Sequence, residues 1–333
     1  SACHEIRLGG IISHQFLLVF LLLGVSLALH AQLKWGQTDY VGNPWVKNVS
    51  KPFEITKGMQ NRHISIGTSH GRYFNGKEWK WQRPPLYCTT EDLFTQTITI
   101  PFLIPMLERS GAIVYSPRER DWQKNEAVVD NDGGILQGSY QEENGIRKWQ
   151  NSAYAGFAHL KRTYSDGENP FFAGTARICA LVDSEKHASV AQWIPEIPED
   201  GNYAVYVTYQ SFYESAPDAK YIVYHQGGAT EISVNQQMGG GTWTYLGTFE
   251  FKAGQNSSAR VILTNQSEHK GVVCADAVRF GGGMGNISRD PVSGQSGMPR
   301  FLEGARYAAQ WSGFPYKVYG MYEGENDYKD DIN

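Results

Sequence analysis

The chain reads as two fold classes in succession, an α/β unit and an all-β antiparallel sandwich. Three patterns predict this. Between His63 and Ser116 a strand, a helix and a second strand follow one another, the order of a parallel βαβ unit. Between Phe171 and Phe280 only short alternating strands occur, about ten residues apart, with glycine and asparagine turns. After residue 298 a helical pattern, FLEGARYAAQW, returns.

In chain order, the first element is a targeting segment. Arg7 and His14 precede an apolar run from Phe16 to Leu29, and Ala31 supplies a small residue for cleavage. The run has 14 residues, enough for a signal-peptide core and short for a membrane span. Residues 1–31 are therefore assigned as a signal peptide. A secreted or periplasmic, cell-envelope location is expected, with no stable membrane span after cleavage. Residues 32–60 are polar, with turn residues in GNPW and KPF, and are expected to form a leader strapped onto the first domain.

Residues 61–170 are expected to begin the α/β domain. HISIGTS (His63–Ser69) alternates and is β-branched, as a strand should be. Leu93, Ile100, Leu103, Ile104 and Leu107 fall mostly at helical spacing between Thr90 and Ser110. Pro101 and Pro105 each remove a hydrogen bond, so a kink or break is expected there. Gly111 stops the helix, and AIVYS (Ala112–Ser116) is the next strand. Residues 118–170 are charged and rich in Gly and Asn, and they read as a long connection. The sandwich is expected over residues 171–281, in the runs YAVYVTY, KYIVYHQGG, TEISVNQQ, TWTYLGTFEF, ARVILTNQ and VVCADAVRF. A Gly-rich linker (Gly281–Gly297) then leads to residues 298–333, a return to the α/β domain. One βαβ unit cannot bury a core alone. The α/β domain is thus expected to be incomplete, and the chain the N-terminal part of something longer.

Composition narrows the function. The 333 residues carry a net charge of -4 and are 41% hydrophobic, which favours a packed core over disorder. The near-neutral balance argues against a nucleic-acid binder, which needs a basic face. Aromatics at 13% suit a β-rich extracellular protein or one that stacks on sugar rings. Cys3 leaves with the signal, and Cys88, Cys179 and Cys274 remain. No CxxC is present, which excludes a cysteine zinc knuckle. Cys179 and Cys274 are read either as a disulfide or as two buried thiols.

His70, in the run SHGR, follows the first strand at the sheet edge where open α/β folds bind ligands. Glu91 opens the following helix, within reach of that edge. An imidazole and a carboxylate suit zinc, which takes N and O ligands. The same residues also fit a loop histidine and a carboxylate favoured at a helix N-terminus, with Thr89 and Asp92 as a capping pair. Two ligands alone are not a zinc site. Between them lies an aromatic, basic loop with Arg72, Trp79, Lys80, Trp81 and Arg83. It suits an anionic glycan or peptide, or it packs its tryptophans on the sandwich.

The stretches ISIGTSHGRYF, TTEDLFTQ and PFLIPMLERSGAIVYSPRERD, between Ile64 and Asp121, resemble the zinc-dependent N-acetylmuramoyl-L-alanine amidases. The resemblance implies a three-layer α/β domain with His70 and Glu91 as the first two ligands of a Zn2+ ion. It places Arg118 in the closing feature of the unit, and Arg72, Trp79, Trp81 and Arg118 are taken as substrate-binding candidates. The loop between His70 and Glu91, holding WKWQRPP, is longer than the family's. The family's third ligand, a second His, and its catalytic Glu have no counterpart before Asn333. His159, His187, His225 and His269 fall in the connection or the sandwich and are not promoted. Catalytic residues are thus expected beyond Asn333, with this chain inactive by itself.

The run NQQMGGGTWTYLGTFEF, with ARVILTN and GVVCADAVRFGGG, resembles the golvesin and xanthan-lyase carbohydrate-binding-like domain over Phe171–Phe280. Tyr213, Trp243 and Tyr245 are the sugar-stacking candidates, since aromatic faces with polar tips suit saccharides. Trp243 equally suits core packing, and Asp276 with Arg279 suits a structural ion pair. Three functions compete: a secreted zinc amidohydrolase acting on peptidoglycan, a xanthan-lyase-like polysaccharide lyase, and a non-catalytic glycan-binding surface protein. Lyase chemistry needs a base beside a group that neutralises a uronate, and no cluster nominates one. All three share a cell-wall or extracellular glycan as partner.

Overall fold

The computed structural model describes residues 42–55, 58–135, 138–256, 258–289, 294–320 and residue 327. The signal-peptide assignment lies outside these residues. No helix among the described residues is long and apolar enough to cross a membrane.

The strands in chain order are β1 (Val46–Asn48), β2 (His63–Ser65), β3 (Arg72–Phe74), β4 (Trp79–Trp81), β5 (Ile113–Tyr115), β6 (Ala127–Asp130), β7 (Gly138–Glu143) and β8 (Gln150–Gly156). They continue as β9 (Tyr164–Ser165), β10 (Gly174–Ala180), β11 (Val190–Pro195), β12 (Gly201–Val207), β13 (Ala219–His225) and β14 (Gly228–Val234). Last come β15 (Thr244–Phe251), β16 (Arg260–Thr264), β17 (Val272–Ala275), β18 (Ala277–Phe280) and β19 (Ile287–Ser288). The helices are α1 (Glu91–Ile98), α2 (Ile104–Arg109), α3 (Ala305–Trp311) and α4 (Tyr316–Tyr319).

The molecule is mostly β-sandwich. One sheet runs β1-β14-β13-β16-β11-β7; facing it are β15-β12-β18-β6 and β17-β10-β8. Pairing throughout these sheets is antiparallel. Alternation sends Tyr221, Val223, Val261, Leu263 and Trp193 inward from one side and Tyr203, Val205, Val207, Val278 and Phe280 from the other.

Two boundaries differ from the sequence reading. Residues 118–170 are not a connection: β6 pairs β18, β7 pairs β11 and β8 pairs β10. Their partners lie far along the chain, so local composition conceals them. Within the described part of the leader, Val46–Asn48 form a strand, β1, which extends the six-stranded sheet beside β14.

The βαβ unit is present in reduced form. β2 and β5 pair in parallel, His63 against Ile113, and Ile104, Ala112 and Val114 pack beneath them. The expected proline break is a widened π turn over Thr99–Leu103, after which the chain resumes as α2. A wider turn accommodates the ring and missing N–H of Pro101, and Pro105 sits in the first turn of α2, where no N–H is needed. The cap is Thr90, whose hydroxyl accepts from Leu93 N at 3.3 Å, and not the expected Thr89–Asp92 pair. Gly111 ends the helix at φ +96°, as anticipated.

The outer face of β12, β18 and β6 is covered as well. Ala204, Tyr206, Ala277 and Val128 pack there with Trp243, Phe157, Tyr307 and Trp311, so α3 seats the α/β part on the sandwich.

Cys179 and Cys274 are buried free thiols. In the β10–β17 ladder Cys179 faces Val273 and Cys274 faces Ile178. That one-residue offset points the two side chains to opposite faces. Burial raises both thiol pKa values, which suppresses the reactive thiolate. Mass mapping after thiol labelling should therefore find Cys88, which is exposed, modified in native protein, and Cys179 and Cys274 only after denaturation.

Candidate functional site

The His70 turn leaves β2 at its C-terminal end, the edge at which α/β sheets bind ligands. Ser69 sits at φ +65°, a left-handed conformation that a non-glycine residue adopts only when surroundings hold it. Gly71 follows because backbone crowds it: a Cβ there would lie 2.5 Å from Glu303 C and Gly304 N. Arg72 O accepts from Gly304 N at 3.0 Å, closing the return segment onto this turn.

His70 and Glu91 are brought to one place, around a third side chain. Arg83 Nη2 lies 3.4 Å from His70 Nε2, and Arg83 Nε lies 3.6 Å from Glu91 Oε2. Partial burial, then the Arg83 charge, hold the His70 pKa below the usual histidine value. Asp92, beside Glu91, accepts from Arg83 N at 3.1 Å, and burial pushes its pKa up. Zinc needs three protein donors and a fourth position. Among the described residues no three His, Cys, Asp or Glu side chains are grouped to hold a metal. The residues present, two donors with a guanidinium between them, do not by themselves fit zinc.

The other candidates at this edge divide. Arg72 Nη2 donates to Trp79 O at 2.7 Å and its guanidinium lies 5.4 Å from the Trp81 ring centroid, so both side chains stiffen the β3–β4 hairpin. Trp79 donates to Gly294 O and packs 4.7 Å from Tyr307, on the return segment and not on the sandwich. Arg118 is a correction. It is buried, and its guanidinium donates to the carbonyls of Thr68, Ser69, His70, Phe301 and Glu303. Donors spent on backbone oxygens are not offered to a substrate.

Arg118 begins a run of four charged residues that joins the α/β part to the sandwich. Glu119 Oε2 accepts from Arg279 Nη1 at 2.7 Å, and its other oxygen accepts from the Tyr206 hydroxyl. Burial alone would raise the Glu119 pKa; Arg279 and Tyr206 bring it below the usual carboxylate value. Arg120 makes a bidentate pair with Glu108 and lies 3.9 Å over the Tyr245 ring. Asp121 accepts from Ala204 N at 2.7 Å. Arg279 thus pairs with Glu119 and Glu126, not with Asp276, which instead accepts from Phe157 N.

Asp276 lies near Asp130. Burial, opposed by the backbone N–H groups of Asp132 and His159, pushes Asp130 up to about 8, and burial with the Asp130 charge raises Asp276. A carboxyl neutral when folded and ionised when unfolded means the unfolded chain binds fewer protons. Stability then falls as pH rises from the ordinary carboxylate range through about 8, and levels beyond. Urea midpoints across that window should show this slope, and Asp130→Asn should flatten it.

On the sandwich, two of the three expected sugar-stacking residues are taken. Trp243 is buried, donates to Trp311 O at 3.1 Å and packs edge-on to Phe157 and Phe171. Tyr245 has Arg120 on its face. Tyr213 is 97% exposed, on the loop after β12. Its neighbour Phe212 packs 5.7 Å from Tyr154, itself 67% exposed on the edge strand β8. Gln210 fastens loop to strand: its amide donates to Tyr154 O at 3.0 Å and Ala155 O at 2.5 Å, and its oxygen accepts from Ser152. The result is a held aromatic rim. Tyr154 was missed because residues 118–170 read as a connection, and Phe212, within the expected sandwich, was not singled out beside Tyr213.

Comparison with known proteins bears on the sandwich. Residues 174–282 match the Golvesin C-terminal domain. The chain is similar to "Xanthan lyase" of Bacillus sp. (strain GL1), 35% identical over 86 residues, 26% of this chain. The match spans only 9% of that protein's length. Among solved structures, Paenibacillus xanthan lyase aligns at 24% identity over 47% of this chain and 13% of its own, with a TM-score of 0.34. The C-terminal CBM6 of LamC from Zobellia galactanivorans aligns at 13% identity over 47% of this chain and 99% of its own, with a TM-score of 0.29. The golvesin-type module contains β10–β18; β1, β6, β7 and β8 complete its sheets from outside the matched segment.

Proposed function

We propose that this is a secreted or cell-envelope glycan-binding protein whose golvesin-type sandwich holds an extracellular or cell-wall polysaccharide. One observation carries the reading: exposed Tyr154, packed on Phe212 and fastened by Gln210, with exposed Tyr213 next in the loop, where strand β8 completes the carbohydrate-binding-like module. Sugar rings present C–H faces that stack on aromatic rings, while nearby carbonyl and amide groups meet their hydroxyls. Affinity electrophoresis through gels containing neutral or acidic polysaccharides tests it. Retardation by at least one polysaccharide, relieved in Tyr154→Ala, is expected. Equal mobility of both proteins in every gel would sink it.

A second reading is favoured by a different observation, the convergence of His70 and Glu91 at the C-terminal edge of a parallel strand pair. In it the α/β part belongs to an amidase-like hydrolase of peptidoglycan and uses that edge. A zinc site there would need a donor beyond the described residues. Zinc content of the purified chain, with His70→Ala beside it, decides. About one zinc per chain, lost in the variant, supports this reading; no zinc at neutral pH overturns it.

A further inference from the structure

We infer that Arg118 is a positioning residue for His70: its guanidinium gathers the turn carrying the imidazole and ties it to the segment that re-enters after the sandwich. The inference rests on the second reading only in giving His70 a use; the positioning itself stands on geometry.

The geometry is specific to a guanidinium. Arg118 Nη1 donates to three consecutive carbonyls, Thr68 and Ser69 at 3.2 Å each and His70 closer still. Three carbonyls in sequence converge on one point only if the chain curls around it, and the middle residue, Ser69, is left-handed. A non-glycine residue leaves that conformation when released. The rest of the fork faces the other way: Nε donates to Glu303 O at 3.0 Å and Nη2 to Phe301 O at 2.9 Å. Those carbonyls lie nearly two hundred residues further along the chain, beyond the whole sandwich. Gln96 of α1 donates to the same Phe301 carbonyl, so the helix that Glu91 opens is referenced to the same anchor. One side chain therefore sets the His70 turn against a segment that also contacts the helix of Glu91. A lysine keeps the charge, but its three donors radiate from one nitrogen and cannot span both groups of carbonyls.

The test uses the full chain with 13C-labelled histidine. In Arg118→Met and Arg118→Lys, the His70 ring resonance should shift or broaden while those of His159 and His225 stay in place. Amide exchange across Thr68–Gly71 should accelerate at least about tenfold. Ser69→Gly, which accepts the left-handed turn without restraint, should restore part of the His70 signal in either background. A merely stabilising arginine would predict no such local rescue. If Arg118→Met does not fold, Arg118→Lys with Ser69→Gly carries the same comparison. An unchanged His70 resonance in folded variants, or full rescue by lysine alone, overturns the inference. The zinc measurement can fail without touching this result, and the reverse also holds.

Discussion

Arg279→Met should destabilise the protein by about 3–5 kcal/mol, because it leaves Glu119 as an uncompensated charge in the interior. Both side chains of the pair are 3% exposed. Glu119 would keep only the Tyr206 hydroxyl and the Asp121 amide. The arginine also lies 3.9 Å over the Tyr206 ring, so the methionine loses a cation–π contact while keeping much of the volume. Urea denaturation gives the figure, and Arg279→Met with Glu119→Gln should recover a good part of it. A loss below about 1 kcal/mol in the single variant would mean that water reaches Glu119 and that the seam between the α/β part and the sandwich is open.

Replacing Tyr154 and Phe212 together by alanine should weaken glycan binding by about thirtyfold or more, the equivalent of about 2 kcal/mol for a central aromatic anchor. The fold should survive, since Tyr154 is mostly exposed and the clamp from Gln210 uses backbone carbonyls that alanine retains. Trp243→Ala separates binding from packing. It opens a cavity among Phe157, Phe171 and Trp311 and should cost about 3–5 kcal/mol of stability. Isothermal titration and thermal melts of the same samples distinguish the two effects.

The strands from YAVYVTY to VVCADAVRF were legible because short apolar or alternating runs between Gly and Asn turns mark strands, whether one face is buried, as in β16, or both, as in β12 and β18. β6, β7 and β8 were not, because their partners are β18, β11 and β10; β6 is only four residues long, and β7 and β8 carry mostly polar or small residues held by ladder hydrogen bonds. Arg118 illustrates a different limit. An arginine after a strand reads the same whether it faces solvent or five carbonyls, since those acceptors belong to the backbone and leave no trace in residue types. Trp243 and Tyr154 show the limit for aromatic residues. Composition counts both, and only the packing of α3 on β12 and β18 decides that the first is interior. His70 and Glu91 were legible as a pair, while Arg83 between them went unassigned to either.

The most direct test of the glycan-binding account is chemical-shift mapping of an oligosaccharide that the protein retains, titrated into the isotopically labelled chain. The account predicts perturbations confined to Gln150–Gly156 and Gln210–Glu214, saturating together and absent in the Tyr154, Phe212 double alanine variant. Perturbations centred on His70 and the β3–β4 hairpin, with the Tyr154 rim unmoved, would contradict it.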